Sequence, residues 1–420
     1  MQILIRALLL IFGSYLVNPL VVVAAEPNAR LMREADPTLA RFVKTEVDTN
    51  PRVQAARAAL DASTAFKSAS SRALYNPELI LDAENSDSNT RSIGLSQTLD
   101  WGGKRQARTA VAESDRLAVE AEYLRVRWAI TTELLSGLTS HQIGTTRNQL
   151  ARERARLMDD FATLAKRRFD AGDLTQVELD LATLASTNAR MMKATAAADL
   201  AEARQAVREL TTGSTPSQWP TMPDQSPELP NVASNPQQVL LALPTVRVAQ
   251  RRLDSARAVV ELRKREKRPD PTISLTAGRE AKDTLVGLNL SIPLYIRNRY
   301  TDEVSVAIAE HDQAQQLADD VLRRAQARLI SATERYQLSE GAWRDWEQTG
   351  SVSLIRQAEQ IRRLWEAGEI STTDYLVQLR QTLDVQGSAL DLRRTLWRAW
   401  FEWMSASGQV DAWLGGEGTR

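Results

Sequence analysis

Few residues of this chain have the type and spacing that chemistry demands. The only imidazoles are His141 and His311, far apart on segments that read as helix, so no two histidines one turn apart can share a zinc ion. Each is expected on a helix surface. The chain has no cysteine, which excludes disulfides, thiolate metal sites, thiol nucleophiles and a lipidated N-terminal cysteine. Gly102-Gly103-Lys104 has the form of the end of a phosphate-binding loop. However, Thr98 stands at the earlier glycine position and Arg105 follows the lysine where Ser or Thr would meet magnesium, so it is not read as one. Trp397, Trp400 and Trp403 fall at helical spacing beside Phe401. A membrane-interface belt or a cofactor platform could use them, but helix packing is the simpler expectation. One acidic pair remains. Glu178 and Asp374 lie nearly two turns past Gly172 and Gly368. An acid near a helix N-terminus is favoured by the helix dipole, while in a ring of chains the same carboxylates would surround a pore mouth, attracting cations or holding a constriction. No cofactor, metal site or catalytic group is expected, and the chain does not read as an enzyme.

The elements that carry these residues are legible in the prolines and glycines. No proline occurs between Pro77 and Pro216 or after Pro293, and the intervening stretches are rich in Ala, Leu, Arg, Glu and Gln. Such stretches form long helices. Lys plus Arg equals Asp plus Glu, 53 against 53, so no global field gathers nucleic acid and no such partner is expected.

The two halves repeat at an offset of about 194 residues. Pro51 matches Pro244, Asp61 matches Asp254, Asn76-Pro77 matches Asp270-Pro271, and Gly94-Leu95 matches Gly287-Leu288. Arg168 to Thr175 resembles Leu364 to Ser371, and Thr212-Gly213 resembles Ser407-Gly408. Composition alone does not place prolines and glycines at one offset. The expected organisation is a signal peptide over 1–25, an N-terminal extension over 26–50, a first repeat over 51–213, a proline-rich linker over 214–243, a second repeat over 244–408 and a tail over 409–420. The export signal rests on Arg6, the apolar run Ala7 to Val23 and the small residues before the expected cleavage after Ala25. A membrane anchor is the alternative, although Gly13, Asn18 and Pro19 interrupt the span.

Each unit is expected to open with a helix, about Pro51 to Leu74 and Pro244 to Lys267, begun by proline. Two alternating runs follow. Leu79, Leu81 and Ala83, then Ile93, Leu95, Leu99 and Trp101, take one face in the first unit. Ile273, Leu275 and Ala277, then Val286, Leu288, Leu290, Ile292 and Leu294, do so in the second. Period-two alternation means one apolar and one polar face, on a soluble core or in a membrane. In a membrane strands must close into a barrel, and four strands cannot, so several chains would be needed. Long helices follow, from about Lys104 to Arg168, close to about 100 Å at 1.5 Å per residue, and from about Arg299 to Trp365. Leu150, Leu157, Phe161 and Leu164, and Leu354, Ala358, Ile361 and Trp365, are their expected apolar seams. Gly137 and Gly144 are placed to let the first bend. Gly172 and Gly368 should end them in the left-handed conformation. Return helices carrying Val177, Leu181 and Leu184, or Leu376, Leu379 and Leu383, complete antiparallel coiled-coil hairpins.

With Asn76-Pro77-Glu78-Leu79, Ala171-Gly172-Asp173-Leu174, Ala367-Gly368-Glu369-Ile370 and Gly287 to Leu294, the chain resembles the outer-membrane efflux (TolC-like) proteins over nearly all of its mature length. The resemblance implies a mainly α fold with a small β part: coiled-coil hairpins plus four membrane strands per chain. A homotrimer would complete a twelve-stranded barrel and a periplasmic tunnel. It also implies a periplasmic adaptor protein meeting the tips Gly172, Asp173, Leu174 and Thr175, and Gly368, Glu369, Ile370 and Ser371. Asp374 would match a pore-ring acid, and an inner-membrane pump would supply energy. Gln97 to Arg105 resembles the cobalt-zinc-cadmium branch, which serves resistance-nodulation-division metal exporters; Tyr295 to Arg299 departs from it. A soluble periplasmic scaffold or adaptor, or the same duct serving drug or protein export, are the competing readings.

Overall fold

The computed structural model describes residues 34–85, 89–225, 227–229, 236–280, 282–367 and 369–415. The expected signal peptide, the start of the extension, part of the linker, Gly368 and the end of the tail lie outside them. Two helices open the described chain, α1 (Pro37–Thr49) and α2 (Pro51–Ser70). Asn50, 2% exposed, joins them. Its Oδ1 accepts from the Arg52 N–H at 2.9 Å, capping α2, while its Nδ2 donates to the Leu210 carbonyl at 3.2 Å. A cap residue with both amide groups used fixes the angle at which one helix leaves the other.

Strands β1 (Glu78–Asn85) and β2 (Asn89–Thr98) lead into α3 (Lys104–Asp170), 67 residues and about 100 Å long at 1.5 Å per residue. Helix α4 (Gln176–Leu210) returns along it. After the linker come α5 (Pro236–Ala242), α6 (Pro244–Glu266), β3 (Thr272–Glu280), β4 (Asp283–Ser291), α7 (Thr301–Asp345), α8 (Ser351–Glu366), α9 (Thr372–Ser407) and α10 (Val410–Trp413). Both halves thus run helix, hairpin of strands, long helix, return helix. The second long helix spans Thr301 to Glu366 as expected, with one π turn, Trp346–Gly350, set between α7 and α8. In that turn the indole of Trp346 occupies the place where a Cβ on Gly350 would stand, 2.4 Å from Cε3.

Gly137 and Gly144 lie inside uninterrupted α3 and admit α4: a Cβ at 137 would lie 3.2 Å from Val207 Cγ2, and one at 144 would lie 3.6 Å from Leu200 Cδ1. The coiled-coil seam is shifted too. Ala155, Met158, Phe161 and Ala165 are buried on α3 against Ala182, Ser186 and Ala189 on α4, whereas Leu157 is exposed. Small residues on both helices let the backbones approach, so the larger side chains turn outward. Val177, Leu181 and Leu184, expected inside, are exposed at 68%, 41% and 65%. In the second hairpin Leu354 and Ile361 are buried as the spacing requires.

The largest core lies along the middle of α3. Ile130, Leu134, Leu135 and Leu138 meet Leu39, Val43, Val207, Val246, Tyr336 and the tryptophans at 397, 400, 403 and 413. The three regularly spaced tryptophans of α9 are therefore packing residues, all buried. The proline-rich linker is strapped onto this core. Trp219 and Met222 are buried, and Gln142 accepts from the Met222 N–H at 2.7 Å. Arg393 of α9 donates to Asp224 at 2.9 Å, and the Tyr336 hydroxyl donates to the Pro227 carbonyl. Further toward the tips Arg147–Asp391 and Arg154–Asp384, at 3.0 and 3.1 Å, join α3 to α9. Their partly exposed charges set alignment more than stability.

Candidate functional site: the sheet face and the paired tips

The four strands form one antiparallel sheet in the order β1-β2-β3-β4. Its register gathers the alternating residues into rows. Leu79, Leu95, Leu275 and Leu288 stand side by side, as do Leu81, Ile93, Ala277 and Val286. These side chains are exposed, Leu288 at 76% and Val286 at 74%. Burying one such side chain is worth about 1.5–3 kcal/mol, so a face of this kind belongs against an apolar medium. The other face is small and hydrophilic: Thr98 and Thr272 hydroxyls meet at 2.8 Å and Ser274 donates to Ser96 at 3.1 Å. Close strand contact there requires glycine at 94, where a Cβ would stand 2.6 Å from Thr276 Cγ2. Ile80 and Leu285 are the apolar exceptions on it. Strands β1 and β4 are free edges.

At the far end the two hairpin tips meet. Phe161 of α3, Trp365 of α8 and Tyr375 of α9 form an aromatic cluster with Ala165, Ala182 and Ile361, and Leu174 and Ile370 pack against it. Gly172 has φ +86°, the left-handed C-terminal position expected, and the Asp173 N–H reaches back to the Arg168 carbonyl at 2.9 Å. Glu369 repeats that bond with Leu364 at 2.9 Å; Gly368 lies outside the described residues. Thr175 caps α4. Its hydroxyl accepts from the Glu178 N–H at 3.3 Å while Glu178 accepts from the Thr175 N–H at 2.8 Å. Ser371 caps α9 in the same way, accepting from the Asp374 N–H at 3.1 Å and donating to its carboxylate at 2.7 Å. Both acids of the sequence-matched pair are thus cap partners at equivalent places; Asp374 is exposed and Glu178 partly so. The Thr175 backbone N–H, with its hydroxyl, holds the Glu178 carboxyl below the ordinary range.

The histidines stay apart. His141 is half-buried rather than on an open surface, its ring edge-on to Trp219 of the linker at 4.8 Å, and burial lowers its pKa. His311 lies beside Asp312. Among the described residues no group of His, Asp and Glu is arranged to hold a metal ion, and no helix is long and apolar enough to cross a membrane. Sequence reasoning missed the aromatic triad and a buried carboxylate, Asp270. The repeat held a signal for the second: Asn76 became Asp in the other copy.

An apolar sheet face left in the open, carried on paired helical hairpins, defines a conduit seated in a membrane through its strands. In two tandem segments, 44–213 and 235–409, the sequence matches the outer membrane efflux protein family, and the chain belongs to that family. It is an outer-membrane efflux channel component, with its helices in the periplasm. It is 29% identical over 385 residues to the cobalt-zinc-cadmium resistance protein CzcC of Cupriavidus metallidurans, covering 89% of this chain and 87% of that one. Identity to the nickel-cobalt-cadmium resistance protein NccC of Alcaligenes xylosoxydans is 26% over 291 residues, 64% of each chain. Among solved structures, CusC (TM-score 0.75, 18% identity, 92% of this chain and 94% of that) shares the fold. So does the CmeC outer membrane channel of Campylobacter jejuni (TM-score 0.74, 15% identity, 99% and 95%).

Proposed function

We propose that three copies of this chain form the exit duct of a tripartite efflux system for divalent metal cations. The observation that carries this reading is the sheet: an exposed apolar face bounded by two unpaired edges, β1 and β4. Free edges are unstable in lipid and vanish only on closure. Pairing β4 of one copy with β1 of the next closes twelve strands in a trimer, and the hairpins below then enclose a tunnel. Resistance proteins named for cobalt, zinc, cadmium and nickel are among the relatives, which supports metal ions as cargo.

A periplasmic adaptor would dock at the tips, Gly172 to Thr175 and Gly368 to Ser371. The exposed stripe Val177, Leu181 and Leu184 offers it apolar surface. A resistance-nodulation-division pump in the inner membrane would supply energy, so this chain would only open and close. Glu178 and Asp374 would ring the entrance, six carboxylates in the trimer. They hold cation cargo near the mouth by charge, not by coordination, since a duct must release what it carries.

Planar-bilayer conductance tests the duct. The purified protein should form rarely open, cation-preferring channels, and Glu178→Gln with Asp374→Asn should weaken that preference. A protein that never conducts, even with both acids neutralised, would end the reading. Cargo is tested separately: a deletion strain should lose zinc, cadmium or cobalt tolerance, and loss of drug tolerance alone would reassign it to organic compounds.

A further inference from the structure

Three of the four places where the chain passes between sheet and helices meet at one buried carboxylate. Asp270 stands between α6 and β3, its side chain 4% exposed. Its Oδ2 accepts from the Tyr75 hydroxyl at 2.7 Å, brought by the passage from α2 to β1. The same oxygen accepts from Lys104 Nζ at 3.0 Å, brought by the passage from β2 to α3. Oδ1 has no partner among the described residues, so the carboxylate depends on the two contacts at Oδ2.

The surrounding backbone is built to deliver these groups. The Leu99 N–H donates to the Pro271 carbonyl at 2.9 Å, and the Arg265 guanidinium donates to the Gly103 carbonyl at 2.8 Å. Asp100 caps α3 by accepting from the N–H groups of Lys104 and Arg105 at 2.7 and 2.8 Å. A Cβ on Gly102 would lie 3.1 Å from the Arg265 carbonyl oxygen, and Gly103 has φ +67°. Gly102-Gly103-Lys104, which does not match a phosphate loop, is shaped for this contact. The fourth passage, from β4 to α7, relies on its own residues: Tyr295 packs edge-on to Tyr300 at 4.9 Å, and Asn298 accepts from the Tyr300 N–H at 2.9 Å.

A buried ion pair is a weak source of stability, because desolvation of both charges offsets their attraction; in some proteins such a pair serves instead to select one geometry. We propose that Asp270 is a positioning residue: with Lys104 and Tyr75 it ties three passages into one joint that holds the membrane sheet in fixed orientation on the periplasmic helices. The joint rests on the fold of the family and is independent of cargo and of the entrance acids.

The test measures orientation directly. The chain has no cysteine, so spin labels can be placed at Glu84→Cys in β1 and Arg257→Cys in α6 of the full-length protein. Labelled chain is diluted in unlabelled chain, so that pulsed electron-resonance distances arise within one chain. Lys104→Met and Asp270→Asn should each broaden the distance distribution about two-fold, and the double variant should be no broader than either single one, because both remove the same contact. Tyr75→Phe, which removes a single hydroxyl, should broaden it less and guards against a variant that fails to assemble. Unchanged widths in all variants, or additive broadening in the double, would overturn the joint. Channel conductance of the same samples is scored separately: loss of the duct reading with a sharp, variant-sensitive distance would leave the joint standing.

Discussion

The rings of Trp365 and Tyr375 lie 4.6 Å apart and 18° from parallel, stacking the two helices of the second hairpin where they leave its tip. Phe161 of the first hairpin sits 5.6 and 5.8 Å from the same two rings. The hairpins of one chain are therefore fastened to each other near their tips. Phe161→Ala should raise the open-channel population about tenfold, the equivalent of about 1.4 kcal/mol, as expected for one lost aromatic contact. Single-channel recordings check this; an unchanged closed fraction would show that the cluster does not hold the entrance.

Gly350 offers a test in which the usual helix rule reverses. In an ordinary exposed helix Gly→Ala stabilises by about 1 kcal/mol. Here the added methyl meets the Trp346 ring at 2.4 Å, so Gly350→Ala should destabilise instead. Faster proteolysis between α7 and α8 is the expected readout, and a gain in thermal stability would contradict the π-turn geometry.

Gly172 holds φ +86° with nothing near its missing side chain. Its substitution by Ala therefore meets only backbone strain, about 1–2 kcal/mol for a left-handed L-residue. Amide exchange over 169–175 should accelerate while the core around Leu134 and Trp400 stays protected. Uniform acceleration everywhere would mean that the tip is not an independent unit.

The sheet predicts opposite results for adjacent residues of β4. Leu288→Lys places a charge on the apolar face, at a cost of about 2–4 kcal/mol if that face lies near mid-bilayer, and should abolish recovery of the protein in the outer-membrane fraction. Asn289→Lys, on the polar face, should be tolerated. Equal tolerance of both would remove the sheet from the lipid.

The Glu178 carboxyl titrates below its ordinary range because the Thr175 N–H and hydroxyl favour the charged form. The unfolded carboxyl titrates near about 4.3. With the folded value lower, the cap's contribution is complete above that pH and disappears only as pH falls through the folded value. Charge at the tip should thus survive mild acid. Thr175→Val should move the acid-side midpoint of cation selectivity upward in pH, and a midpoint indifferent to that change would separate Glu178 from selectivity.

The local features of this fold are written in the chain itself. The repeat, the long helices, the strand alternation and the left-handed end at Gly172 follow from residue spacing and from the conformational limits of proline and glycine, which act within a few residues. The apolar sheet face was legible for the same reason, since a period of two is a local property. The α3–α4 seam was not: Val177, Leu181 and Leu184 have helical spacing, yet alanines and Ser186 face the partner, because backbone approach between two helices outweighs the periodicity of one. Nor could spacing show that Trp219 of the linker covers His141, that Phe161 meets Trp365 and Tyr375, or that Tyr75, Lys104 and Asp270 converge. Each joins segments distant in sequence, and only tertiary packing of the repeats and the linker brings them within a few ångströms.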